Sequence, residues 1–470
     1  MKNLYRNRSL YGKSGVYETD KIPILTVMIR LSVVALFFAV MTNSPAEVLW
    51  PQFRGPNGDG IANADRVPVK FGASENLSWR TPLPGKGWSS PVIENDSIWL
   101  TTAIETVPSP EELEALLAES GEDPKKFKAR QMAKNIRLAT LEIDRNSGAI
   151  KREIELTVVE KPDAIHALNS YASPTPFLES GRLYSHFGTF GTFCIDTSSG
   201  EILWQTQLPL EHGVGPGSSP FIHENFLVLI CDGIDQQYVT ALDKTTGKEI
   251  WKTARPEMRA KLGDQKKAYC TPIAITPTDG PTQLICMGAQ WLISYEPATG
   301  KENWRLDHGS GFSVVPRPVF SEKEQLIFIS TGFGKPQLWA IKPDGSGDIS
   351  DSDKVVWKDP KRIPAKPSPL LVGDELYVIT DGGIATCFDA ASGELHWTER
   401  VGGNYSASPL LADGNIYLCN QEGKITVIKP GVEFSVVQEN ELGEQLMASP
   451  VALDGELIIR SVDALYRFTN

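Results

Sequence analysis

The 470-residue sequence has no adjacent cysteines and no C-x-x-C pair, and its first cysteine is Cys194. The missing C-x-x-C excludes a c-type haem attachment. No Cys/His cluster has the ligand spacing of a zinc site. Cys194, Cys231, Cys270, Cys286, Cys387 and Cys419 lie far apart, mostly in apolar, strand-like runs. They are read as buried thiols, because a chain of this length needs no disulfide staples. There is no G-x-S-x-G elbow, which removes support for that type of hydrolase. Gly213 to Gly217 is glycine-rich but lacks the Lys-Ser/Thr tail of a phosphate loop. Positive charge is also scarce. Beyond residue 46 the chain holds 40 basic and 56 acidic residues, a net of −16. A body that acidic is a poor generic binder of nucleic acid or anionic lipid.

Long hydrophobic runs are missing too. The longest uninterrupted one, 31–41, is too short to span a bilayer comfortably. Met28-Ile29-Arg30 reads as a short positive n-region and 31–40 as the apolar h-region. Ser44-Pro45-Ala46 supplies small residues for cleavage before Glu47. The expectation is a secretory signal starting at Met28, with 1–27 an over-called extension. A retained single N-terminal anchor is the alternative. With no cysteine near the cleavage site, a lipid anchor has no support. The chain therefore divides into a leader, 1–46, and an exported body, 47–470, placed in the periplasm or cell envelope.

What the body has in abundance is self-similarity. A small-residue turn ending in Ser/Thr-Pro, followed by short apolar strands, recurs at Ser90, Ser173, Ser219, Thr271, Ser368, Ser408 and Ser449. A degenerate copy stands at Val315-Pro316. The prolines are 83, 46, 52, 44, 53, 40 and 41 residues apart, the spacing of four short strands per unit. The second half of the unit reads Asp-x-x-x-Gly-x-x-x-Trp, as in Asp196, Gly200 and Trp204, in Asp243, Gly247 and Trp251, and in Asp389, Gly393 and Trp397. Asp accepts backbone hydrogen bonds in such a turn and Gly supplies positive φ, so the motif marks a hairpin. Glu296 replaces Asp in the copy ending at Trp304, and the copy from Asp144 to Gly148 lacks the Trp.

The eighth copy has only three strands, at 451–452, 456–460 and 464–468, while 76–82 resembles a fourth strand with no preceding three. Pairing the two would close a ring and remove an exposed sheet edge. The fold class is all-β: an eight-bladed β-propeller closed by the N- and C-terminal strands in its last blade. A misread Pro316 unit would make seven or nine blades. Three insertions break the period. The largest, 108–137 in blade one, is expected to be a helical pair, 110–119 and 125–137. A basic insert, 255–267, precedes blade four as a short helix. An acidic loop, 344–353, has calcium-like carboxylate spacing without the EF-hand pattern.

These repeats resemble the pyrroloquinoline-quinone-like (PQQ-like) repeat β-propellers over 47–470. The opening, Trp50 through Arg54 to Gly60, looks like that of exported planctomycete-type members. The resemblance implies one of two branches. Quinoprotein dehydrogenases sandwich their quinone between a Trp and a disulfide of adjacent cysteines, with calcium beside it and an Asp as base. BamB-like propellers are non-enzymatic binding scaffolds. The missing adjacent cysteines argue against the first branch. In either, a site would lie on the ring face where the loops between strands four and one, and between strands two and three, gather. The candidate ligand residues there are Trp88, Tyr171, Tyr269, Trp291, Tyr405, Asp232, Asp381 and Arg460. His166, Asn169, His212, Gln290, Phe312 and Met447 lie nearby. Asp163 with His166 forms either a base pair or a turn. No catalytic residue, metal ligand or cofactor is assigned. The expectation is an exported, non-enzymatic module binding an envelope protein or small ligand. It would not bind nucleic acid, and would touch membrane only through an uncleaved anchor. The alternative is a PQQ- and calcium-dependent dehydrogenase of alcohols or sugars.

Overall fold

The structure, a computed structural model, describes residues 47–121 and 123–470. The signal peptide, its start and the alternative anchor fall on 1–46 and lie outside the described residues. Among the described residues no helix is long and apolar enough to cross a membrane.

Eight antiparallel sheets follow one another along the chain. Blade one contains Val92–Glu94, Ser97–Glu105, Asn135–Asp144 and Ile150–Glu160. Blades two to seven occupy 177–206, 221–254, 273–307, 319–359, 370–400 and 410–441. Blade eight takes Val451–Leu453, Glu456–Arg460 and Ala464–Thr469 from the end of the chain and Leu77–Pro82 from its start. Leu77 pairs with Phe468 and Thr81 with Leu465, so the ring is closed as the repeat requires. All six thiols are buried and free.

The repeated Trp has a definite task. Trp204 donates its indole N–H to the Lys244 carbonyl in the hairpin turn of the next blade, at 3.0 Å. Trp251 does the same to Pro297 and Trp357 to Ala390, and Trp79 of blade eight reaches Arg145 of blade one. A threonine two residues on adds a second bond. Thr81, Thr206 and Thr253 reach the carbonyls of Gly148, Gly247 and Gly300. In blade one Arg152 stands at the Trp position and makes the same crossing, to the Thr197 and Ser198 carbonyls. These blades thus close turn carbonyls of the next blade while laying an apolar face on it.

This geometry explains the turn glycine. Gly300 has φ +67°, and a Cβ there would meet the Trp251 ring at 2.3 Å. Gly300→Ala is expected to lower stability by about 2–4 kcal/mol, from left-handed strain plus overpacking. Gly309→Ala, at φ +95° with nothing within 4 Å, isolates the strain alone. Urea denaturation of both variants checks this, and equal losses would refute the packing role.

Several expectations change. The first helix forms at Pro110–Glu119 behind a Ser109/Glu112 capping box. The second does not. A 3₁₀ turn, Pro124–Ala129, passes into extended chain, and Arg130–Gln131 pairs with Ile165–His166. From Asn135 the long strand pairs with Ser97–Glu105, so the last three residues of the expected helix, 135–137, are strand. The 255–267 insert holds only a 3₁₀ turn, Gly263–Gln265. In the acidic loop, Gly347–Asp348 adds a parallel strand to blade four. Asp348 there meets Arg305 and Asp344 meets Lys354, at 3.1 and 2.8 Å, so cations of the chain itself neutralise them.

A blind funnel at the ring axis

The innermost strand of each blade starts after a residue–Pro pair. Two units are shifted by two residues from the sequence reading. The pair that enters the strand is Thr175-Pro176 in blade two and Arg317-Pro318 in blade five, because the strands are Phe177–Glu179 and Val319–Ser321. A residue before proline is held extended, which turns its own N–H toward the neighbouring blade. The result is a run of seven bonds around the axis, open only between Thr271 and Arg317 among the described residues. Ser90 N–H donates to Thr175 Oγ1, Thr175 to Ser219 and Ser219 to Thr271, at 2.9, 3.0 and 3.2 Å. Arg317 N–H donates to Ser368 Oγ, Ser368 to Ser408, Ser408 to Ser449, and Ser449 back to Ser90. Seven positions carry a hydroxyl and one an arginine.

The arginine holds a strap across the axis. Residues 48–50 pair with blade one, and the Leu178 N–H of blade two donates to the Pro51 carbonyl. Arg317 grips the Phe53 carbonyl at 2.7 Å and Gln52 Oε1 at 2.9 Å, while also holding Pro272 of blade four. Arg54 reaches Pro369 of blade six, and the chain around Ile61 bridges to Leu411 of blade seven. Gly58 is needed here: it has φ +71°, and a Cβ would lie 2.2 Å from the Arg317 guanidinium. The strap stops one end of the axis and places Phe53 at the floor of a funnel of about 720 Å³.

The mouth carries Lys125, Lys126, Arg130, Lys267 and Lys366, with His166 and one carboxylate, Asp264. Asp264 is held at 2.8 Å by Lys126 and 2.7 Å by Lys267. Burial works to raise its carboxyl, and the two ammonium groups overcome this, bringing it down to about 2. Burial lowers His166, and the positive charges of Arg130, Lys267 and Lys366 lower it further. Its Nδ1 accepts from the Leu168 N–H at 3.1 Å, so in the neutral ring the proton sits on Nε2. Behind the lining, Arg54, Arg317 and Arg460 are buried and brought down by burial to about 9, 10 and 9, still protonated at neutral pH.

Of the residues singled out from sequence, Trp88 and Tyr269 line this funnel, with His166, Asn169, Phe312 and Met447. Arg460 lies behind its wall, donating to Ser89 at 2.9 Å. Tyr171, Trp291 and Tyr405 are packed in the blade cores. Asp232 is buried against Arg255 at 2.8 Å. Asp381 accepts the N–H groups of Ala365 and Lys366, closing a loop. Asp163 accepts the Tyr171 hydroxyl through its carbonyl at 3.0 Å, a turn contact rather than a pairing with His166. The mouth cations and Phe53 were not anticipated. For Lys125, Lys126, Arg130 and Lys267 the signal was the cluster of basic residues within two of the insertions; Lys366 and Phe53 had none.

Beside the funnel, His186 and His212 are buried and pushed down by burial to about 3 and about 4. His212 Nε2 accepts the Thr189 N–H at 2.9 Å, a bond only the neutral ring can make. Below pH 6.5 the unfolded chain takes up a proton that the folded one refuses. Their contribution is therefore complete above about pH 6.5 and lost as pH falls toward 4. The expected slope is about 1.4 kcal/mol per pH unit for each ring. His212→Gln should flatten it by one ring's share in denaturation series between pH 7 and 4.5; an unchanged slope would sink the assignment.

The architecture defines a closed eight-bladed β-propeller with a blind axial funnel. A family model described as outer membrane protein assembly factor BamB matches residues 142–263, 235–346 and 288–431, more than half the chain. The chain belongs to this PQQ-like repeat propeller family. It is 24% identical over 281 residues to BamB of Yersinia pestis, covering 49% of this chain and 69% of that one. It is 22% identical over 261 residues to a tetrathionate hydrolase of Acidithiobacillus ferrooxidans, covering 52% and 49%. A europium-containing methanol dehydrogenase superposes with a TM-score of 0.61 at 11% identity, covering 88% of this chain and 90% of that one. An assembly factor, a hydrolase and a dehydrogenase on one scaffold mean that the fold leaves function to the site.

Proposed function

We propose that this protein is an exported, non-enzymatic propeller of the cell envelope that recognises a ligand or protein segment at the funnel mouth. The observation that carries the reading is the blind funnel: a stopped axis with an aromatic floor and a charged mouth, built on a rigid ring. Membership of a family whose matching model and Yersinia relative are named as assembly factors supports a binding role.

The alternative is a calcium-held quinone. It needs a set of free oxygen donors. Asp264 is spent on two lysines, and Asp381 on backbone N–H groups and Lys366. Asp232 keeps an unpartnered Oδ2, but it is fully buried against Arg255 outside the funnel lining. Among the described residues no group of three His, Cys, Asp or Glu side chains converges. The donor set does not fit that cofactor.

A photoreactive residue placed at Lys366, in the mouth, and at Leu395, on the exposed outer strand of blade six, tests the reading in envelope-competent cells. Adducts are expected from the mouth position. Adducts from the outer position alone would overturn the proposal, as would quinone-dependent dye reduction by the purified protein with Ca²⁺.

A further inference from the structure

We propose that the funnel is a receptor for a small organic polyanion, held by the chain's own donors with no bridging metal ion. The inference rests on reading the funnel as the binding site and adds the chemistry of what enters it. Among the described residues five cationic side chains and a single carboxylate line the cavity, in a chain whose body is strongly acidic. The carboxylate, Asp264, is already shared between Lys126 and Lys267, so it neither repels an incoming anion at full strength nor offers a free oxygen to a metal. Lys267 is nearly completely buried, which places its charge where water screens it least.

The ring hydroxyls extend the donor set downward. Each of the seven accepts a backbone N–H from a neighbouring blade. Among the described residues no acceptor is hydrogen-bonded to any of their protons, and six of them line the funnel. What they have left to offer a ligand is therefore an O–H, as His166 offers its Nε2–H. Behind the lining, Arg54 and Arg317 at the strap and Arg460 beside Ser89 are bonded to neutral carbonyl, amide and hydroxyl oxygens, with Arg54 Nε and Nη1 and Arg460 Nε left without a partner. Their charge adds to the field that an anion would meet, and charge-assisted bonds are the strong ones.

The size and the remaining wall narrow the class. About 720 Å³ suits a compact organic molecule, and the Phe53 floor stops a chain from passing through. Trp88, Phe312, Phe333 and Met447 supply apolar surface for a hydrocarbon or aromatic frame.

Calorimetry with benzene-1,3,5-tricarboxylate, with EDTA present, tests this on the full body, 47–470. One site is expected, weakening as salt rises. Lys267→Met with Lys366→Met should weaken it at least tenfold, and Lys366→Met alone, at a partly exposed side chain whose one ion pair among the described residues is the 3.7 Å contact to Asp381, about threefold. The surface variant Lys323→Met should leave binding unchanged. The uncharged benzene-1,3,5-tricarboxamide should bind at least tenfold more weakly. Equal binding of the triamide, indifference to both lysine variants, or a requirement for Ca²⁺ would overturn the proposal. Inorganic phosphate binding as tightly would remove the organic frame, and hexaglutamate displacing the tricarboxylate at lower concentration would replace the small ligand with an acidic peptide. Mouth adducts in the crosslinking experiment without binding of any of these anions would sink this inference and leave the funnel as a site. Absence of mouth adducts would sink the site itself.

Discussion

Asp232→Ala is expected to cost about 3–5 kcal/mol of stability, the scale of stranding a buried charge. Both side chains of the Asp232–Arg255 pair are fully buried, 2.8 Å apart. The guanidinium spans two blades: it holds Asp232 of blade three by Nε and the Cys286 and Met287 carbonyls of blade four by Nη1 and Nη2. Burial works against its charge, and Asp232 more than offsets this, holding Arg255 above its ordinary value. Removing the carboxylate leaves a cation in apolar surroundings beside His308, which is itself buried and pushed down to about 4. Adding Arg255→Met should recover at least half of the loss, since an apolar pair of similar volume carries no desolvation cost. A double-mutant cycle by guanidinium denaturation reads the coupling. If the double variant is less stable than Asp232→Ala alone, the pair contributes through packing and not through charge.

The residue types explain what was legible in the sequence. The Trp repeats and turn glycines report a local contact made afresh at each blade, so they recur at a fixed offset and betray the blade count. Closure was legible for a related reason: three strands at one end and one at the other are a local deficit and a local surplus. The blade-two start was off by two because Ser173-Pro174-Thr175-Pro176 offers two equivalent dipeptides. Only the pairing of Phe177 with Tyr184 selects the second. The Trp substitute, Arg152, breaks the pattern in residue type while keeping its geometry. The strap and the funnel were illegible because each is made once, by residues from up to eight blades, and no periodicity marks it. Tyr171 and Tyr405 looked like ligand platforms from their loop positions. Their rings were needed to fill the angles between blades, and the core took them.

Deleting 47–82 is expected to abolish cooperative folding, and adding that segment as a separate peptide to restore it. The segment does three things at once. Leu77–Pro82 supplies the outer strand of blade eight, and Trp79 bonds that blade to the turn of blade one at 2.9 Å. Phe71 packs on Phe468 with ring centroids 4.8 Å apart, while Val67 and Trp50 are buried in the same cluster. The strap bonds satisfy Arg317, which without the Phe53 carbonyl and Gln52 would be a buried cation short of two partners. Such groups are costly to leave unmatched, about 1–3 kcal/mol each and more when charged. Their sum rivals the 5–15 kcal/mol by which a folded domain exceeds its unfolded state. The deleted chain should therefore show a broad thermal profile and weak near-ultraviolet circular dichroism while keeping strand content. The peptide 47–82 should return a single transition whose midpoint rises with peptide concentration, as mass action requires. Trp79→Ala in the peptide should lower that midpoint. A sharp, peptide-independent transition in the deleted chain would mean that the ring is held by its blade-to-blade contacts without the clasp.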